Sequence, residues 1–268
     1  MRRSRLSALR HLSALVLVLG LVACASVTED ITAKWSVEKL REEAQDSVRT
    51  GAWDKAIQYY DKLEGRAAGT LLSQQAQLEK AHAQYKYGER PQALATLDRF
   101  IRLHPASPAL DYAFYLKGLI NFNDNLGMFG SITRQDLSER DQKAAKDSYE
   151  AFRELSTRFP DSRYASDARQ RMVYIVNSLA MYEVHVARYY ASRGAHVAAI
   201  GRAQQAINDY PNVPAIEEAL AILVYAHDQL GMTQLRDDAR RVLQANYPKS
   251  AYLKGYSPAR NTSWFKLF

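Results

Sequence analysis

Cysteine is almost missing from this 268-residue chain, where Cys24 stands alone. No intrachain disulfide can form, even in an oxidising compartment. The six histidines are scattered and make no HExxH pair, so no metal centre is expected. Apolar runs are short as well: the one from Leu12 to Ala23 has twelve residues, against the roughly 20 that a membrane-spanning helix needs. No nucleophile stands with a base by spacing, and no pair of carboxylates is placed for acid–base work. Glu183 and His185, two apart, fall on different faces of a helix and do not make a dyad. The glycines of GMFG at 127–130 lack the strand and lysine of a phosphate loop. No catalytic residue and no soluble cofactor are assigned, and an enzyme is not expected. There is also no dense Lys/Arg stripe interleaved with aromatics, so nucleic acid is not an expected partner.

What is present begins at the amino terminus. Arg2, Arg3, Arg5 and Arg10 precede the apolar run, and no acidic residue comes before Glu29. A basic stretch, an apolar stretch and small residues in that order are the layout of a secretory signal. Its junction, Leu21-Val22-Ala23-Cys24, resembles the lipobox of bacterial lipoproteins, whose cleavage leaves the cysteine first. The resemblance implies removal of residues 1–23 and lipid attachment at Cys24, with S-diacylglycerol on the thiolate, the nucleophile the reaction needs, and an N-acyl chain on the new terminus. At about 0.8 kcal/mol per buried methylene, several chains anchor a protein stably without crossing the bilayer. Position two would be Ala25 rather than the aspartate associated with inner-membrane retention, which favours the periplasmic face of the outer membrane. Losing residues 1–23 removes four arginines and no acid, so the net charge falls from +7 to +3. Residues 24–34 are polar and aperiodic, and read as a lipidated tether.

The remainder is rich in helix formers and repeats itself. GAWDKAIQYYDKL at 51, GERPQALATLDRFIRLHP at 88 and GAHVAAIGRAQQAINDYP at 194 each open with glycine and place alanine five residues later. Gly51 to Gly88 and Gly194 to Gly231 are both 37 residues. A further copy fits Ser148, Phe152, Leu155 and Pro160, and another, after a one-residue slip, Leu235, Ala239, Val242 and Pro248. Seven residues before the glycine stand Ala44, Ala81, Ala187 and Val224, with Gly118 in the matching place of the third unit. This register resembles the tetratricopeptide repeat and predicts an all-α solenoid of about five helix-turn-helix units with a concave surface for ligands. Front repeats 1–3 are placed at 35–160 with an inserted loop at 123–142, rear repeats 4–5 at 161–250, and a flexible tail at 251–268. From Tyr164 to Ser192 there is no glycine or proline, so one helix of roughly 44 Å is expected there.

Five stretches together carry a closer resemblance: the lipobox, LDRFIRLHPASPALDYAFYLKGL at 97–119, ERD at 139, RFPDSRYASDARQRM at 158 and YEVHVARYYASRGAHVAAI at 182. They resemble the BamD (YfiO/ComL) family of outer-membrane lipoproteins, from Cys24 to about Pro248. The resemblance implies a non-enzymatic scaffold of the β-barrel assembly machinery. Its rear repeats would dock the POTRA domains of a BamA-like barrel protein and help hold other assembly lipoproteins, and its front repeats would receive unfolded outer-membrane-protein substrates. A different periplasmic tetratricopeptide lipoprotein, such as a pilotin or a cell-wall coordinator, is the alternative. Where relatives commonly carry a stretch like YPFGPYSQQ, this chain reads EGRAAGTLLSQQAQL at 64–78 and lacks Tyr-Pro-Phe.

Repeat geometry points the first helix of each unit to the inner groove. In the front block this selects Gln45, Arg49, His82, Tyr85, Lys86 and Tyr115 as a surface for an extended peptide with an aromatic end and a carboxylate, Tyr85 stacking and Arg49 and Lys86 pairing. In the rear block Arg188 and Arg202 are the candidates for a charge pair with a partner domain, since arginine offers a rigid fork. The tyrosines at 112, 164, 174, 182, 189 and 190 are expected to pack between helices.

Overall fold

The computed structural model describes residues 30–122 and 139–258. The described residues form ten α-helices and two short 3-10 turns, with no strand. In chain order the helices are α1 (Val37–Thr50), α2 (Trp53–Arg66), α3 (Leu71–Tyr87), α4 (Arg90–Leu103), α5 (Leu110–Asn121), α6 (Glu139–Arg158), α7 (Ala165–Ser192), α8 (His196–Asp209), α9 (Ile216–Gln229) and α10 (Thr233–Asn246). Each packs against the next, and the first helices of adjacent units also touch, α3 on α5 and α7 on α9. That is the antiparallel, neighbour-to-neighbour order of an all-α solenoid of helix-turn-helix repeats. The single long helix expected between the blocks is α7, with 28 residues.

The repeat glycines end first helices. Gly51 and Gly88 sit at φ +73° and +95°, and their amides return to carbonyls of the last turn. A side chain is strained in that left-handed region, which is why glycine recurs there. Pro105, Pro211 and Pro248 follow directly on the C-caps His104, Tyr210 and Tyr247, where a helix that has already stopped tolerates a missing N–H. At the crossings the buried residues are small: Ala44, Ala81 and Ala187 are fully buried. Gly118 replaces them in the third unit because Phe152 lies against it, and a Cβ there would come within 2.4 Å of the ring. Ser148 donates to the Gly118 carbonyl at 2.9 Å, closing α6 onto α5.

Apolar burial divides into two clusters. Leu40, Ala44, Ala56, Tyr60, Leu63, Ala76 and Ala83 form the core of the first unit. A larger cluster runs from Leu78 through Phe100, Phe152 and Ile175 to Leu243. Helix α3 contributes to both, so the first unit joins the rest through it.

Three expectations need correction. In the last unit Leu235 and Val242 are about half exposed, while Ala239 and Leu243 are buried. Counted from Gly231 without the slip, Leu243 falls where Leu63 and Phe100 stand after Gly51 and Gly88, so the slipped register wrongly selects the more exposed Leu235 and Val242. The tether does not extend to residue 34. Ile31–Lys34 is a 3-10 turn capped by Asp30, and Thr32 is buried. Lys62 donates to Asp30 at 2.6 Å, and Arg66 donates to the carbonyls of Thr32, Ala33 and Trp35. The Lys62 bond, with those from Thr32, lowers Asp30 to about 2.

Nor do residues 251–258 fray. Ala251–Lys254 is a second 3-10 turn, and Tyr252 and Tyr256 pack against the main core. Their rings bury apolar area and the Tyr256 hydroxyl finds an acceptor, which outweighs the entropy of a free end. The signal segment, Cys24, most of the inserted loop, and Trp264, Phe265 and Phe268 lie outside the described residues.

Candidate peptide groove and rear docking face

The front concavity lies between α1 and α3, with α2 beneath. Arg41 and Gln45, four apart, share a face of α1, and Gln75 and Glu79 share one of α3. Tyr60, Leu63, Leu72 and Ala76 form the apolar floor. Amides, a guanidinium and a carboxylate over an apolar floor suit an extended polypeptide, whose backbone presents donors and acceptors in alternation. Burial raises the Glu79 carboxyl above its ordinary value.

Of the six groove residues read from the sequence, Gln45 alone lines this concavity. His82, Tyr85 and Lys86 follow on α3, toward its C-terminal end. His82 meets the Trp53 ring edge-on at 6.1 Å. Burial, and then Lys86, lower its pKa. The Lys86 ammonium stands 6.0 Å from the centre of the Tyr85 ring. Arg49 is exposed and paired along its own helix with Asp46 at 2.8 Å. Tyr115 belongs to a different junction. Its hydroxyl donates to Asp167 at 2.8 Å, and its ring stacks on Tyr164 with centroids 4.6 Å apart. Sequence reasoning missed Arg41, Gln75 and Glu79. The i, i+4 pairing of 41 with 45 and of 75 with 79 was the available signal.

A part-buried ion cluster lies behind the groove. Lys80 donates to Asp61 at 2.8 Å and to Glu64 at 2.7 Å, and Arg99 reaches the same Glu64 at 2.8 Å. The Lys80 side chain is 8% exposed. The cluster joins α3, one wall of the concavity, to α2 beneath it and to α4.

In the rear block, Arg188 on α7 grips both carboxylate oxygens of Glu218 on α9, through Nε at 2.6 Å and through Nη2. The Tyr256 hydroxyl donates to the same carboxylate at 3.0 Å, so this pair also ties down the carboxyl-terminal segment. Arg202 on α8 donates through Nη1 to Glu183 on α7 at 3.0 Å and, more weakly, to Gln205. Glu183 is buried, whereas the Arg202 side chain is 39% exposed. Both arginines hold neighbouring helices together. Among the described residues no group of His, Cys, Asp or Glu is placed to hold a metal, and no helix is long and apolar enough to cross a membrane.

The family model for the YfiO outer membrane lipoproteins matches residues 34–243 of this chain. The chain belongs to the YfiO family. That match runs from the first 3-10 turn into α10 and contains both the front concavity and the rear arginines. The outer membrane protein assembly factor BamD of Neisseria meningitidis serogroup B is 46% identical over 255 residues, covering 93% of this chain and 96% of that protein. BamD of Xylella fastidiosa (strain Temecula1) is 38% identical, covering 82% and 75%, and that of Vibrio cholerae 32%, covering 86% and 96%. Among solved structures, a kinesin light chain with TPR-like repeats from Podosopora anserina aligns with a TM-score of 0.35 at 12% identity, covering 80% of this chain and 97% of that one.

Proposed function

We propose that this protein is a non-enzymatic, lipid-anchored scaffold of outer-membrane protein assembly. The observation that carries the reading is family membership across a whole solenoid: relatives at 30–46% identity are named outer membrane protein assembly factor BamD. The lipobox supports anchoring through Cys24 to the periplasmic face of the outer membrane, with the acyl chains as the sole attached group. The front concavity between α1 and α3 receives an unfolded outer-membrane-protein substrate in extended form. Further along the same face, Tyr85 stacks on its aromatic end while Lys86 and Arg49 neutralise its carboxylate. Arg49 must exchange Asp46 for that partner, a small cost for an exposed pair.

The rear repeats dock a BamA-like barrel protein through its POTRA domains and help hold the other assembly lipoproteins. Arg202 is the better placed of the two arginines. Its hydrogen bonds among the described residues use only Nη1, which leaves the other donors of a 39% exposed side chain for a partner carboxylate. Arg188 is bound on both sides of its fork and serves by positioning α9 and the segment after it.

Depletion in the native bacterium tests the reading. Barrel proteins should lose their folded, heat-modifiable form in the outer membrane while their unfolded precursors rise in the periplasm. Unchanged barrel assembly in depleted cells would contradict it.

A further inference from the structure

Glu79 is half buried on α3, and among the described residues it makes no hydrogen bond or ion pair. Arg41 lines the same concavity and is likewise unpaired, so the obvious internal partner is not used. A carboxylate withdrawn from water without compensation is costly, and the cost shows in its raised pKa, which burial alone accounts for. Tyr60 lines the same concavity, and the charge of Glu79 is felt at two phenols. Tyr60 on α2 and Tyr112 on α5 are both pushed up to about 12, by burial first and by the charge of Glu79 second. The other buried charges of the front block, Lys80 and Glu64, are paired.

We propose that Glu79, which lines the concavity together with Tyr60, is a subsite for a basic side chain, arginine or lysine, of the extended polypeptide held between α1 and α3. A full positive charge satisfies a desolvated carboxylate better than a backbone N–H does, because hydrogen bonds between ions are about twice as strong as neutral ones. Gln45 and Gln75, on opposite walls, are left for the peptide backbone. The groove then reads a cation at one place and the carboxylate end at another, which fixes the direction in which the chain lies.

This rests on the front groove being a peptide site, and the test separates the two claims. The probe is a labelled extended peptide of alternating aromatic and polar residues with one arginine, titrated by fluorescence anisotropy against the full mature protein in mild detergent. Its twin carries citrulline, which keeps the shape and loses the charge. The wild-type protein should bind the arginine peptide about tenfold more tightly than the twin, in line with one charged hydrogen bond, and Glu79→Gln should bind both at the level of the twin. Persistence of the preference in Glu79→Gln overturns the assignment. Equal binding of the twins by the wild type overturns it and leaves the peptide groove standing; no binding of either overturns both. If Glu79→Gln fails to fold, the wild-type contrast decides together with a photoreactive group beside the arginine, which must crosslink to α3. Crosslinking elsewhere refutes the subsite.

Discussion

At the scale of single residues, the packing of Gly118 against Phe152 is the tightest constraint on the third repeat. The ring is fully buried and enclosed by α5 and α6, so an added methyl cannot be relieved by a side chain swinging into solvent. Gly118→Ala should destabilise the protein by about 1–3 kcal/mol, as overpacking does, read as a lower urea midpoint at unchanged slope. Wild-type stability in that variant would contradict the packing. His82, His185 and His227 are held below 6.5, chiefly by burial. The unfolded chain therefore takes up protons that the folded one resists, so stability should fall as pH drops through 6.5 toward the lowered values. A melting temperature unchanged across that window would contradict it, and His185→Gln should flatten the slope. Residue identities in the groove were only partly legible. Gln45 could be placed from helical spacing, but whether a charge is paired depends on neighbours distant in sequence, as Arg49 with Asp46 and Glu79 without Arg41 both illustrate.

At the scale of elements, the helix hairpins were legible because their ends obey local chemistry: glycine at a left-handed cap and proline past a C-cap. The register of α10 is misplaced by the one-residue slip, because Leu243 keeps the spacing from Gly231 that Leu63 and Phe100 keep from Gly51 and Gly88. By contrast the docking of residues 30–34 and 251–258 depends on Lys62, Arg66 and Glu218, far away along the chain. Two predictions belong here. Removing Glu64 leaves Lys80 with Asp61 alone and takes from Arg99 its carboxylate, whereas replacing Lys80 with an apolar side chain removes a buried charge and leaves Glu64 paired with Arg99. Glu64→Ala should cost about 1–3 kcal/mol, as the loss of charged hydrogen bonds does, and Lys80→Met within about 1 kcal/mol of nothing, measured by denaturant unfolding. Equal costs would show that the cluster is not acting as a buried pair. Truncation after Ser250 removes Tyr252 and Tyr256 from the rear core and should cost about 1–3 kcal/mol. Hydrogen exchange should then rise in α9 and α10. Unchanged protection there would mean the segment is not anchored.

At the scale of the whole molecule, the large core cluster runs without a break from α3 to α10 and passes through α7. The rear face belongs to that cluster, while the front groove is floored by the separate core of the first unit and joins it through α3. Spin labels at exposed Lys55 and Thr233 should give a single narrow distance distribution, and a broad one would mean that α7 flexes. That connection through α3 and α7 bears on the proposed function, because a scaffold that held a substrate at one end and a barrel protein at the other could present one to the other only at a defined separation. The measurement that tests this most directly is purification of the lipidated protein from its own outer membrane in mild detergent, with mass identification of what accompanies it. A stoichiometric β-barrel protein with periplasmic domains is the predicted companion, released by charge reversal at Arg202. Its absence, with pilus or cell-wall proteins in its place, would contradict the assembly role while leaving the repeats as described.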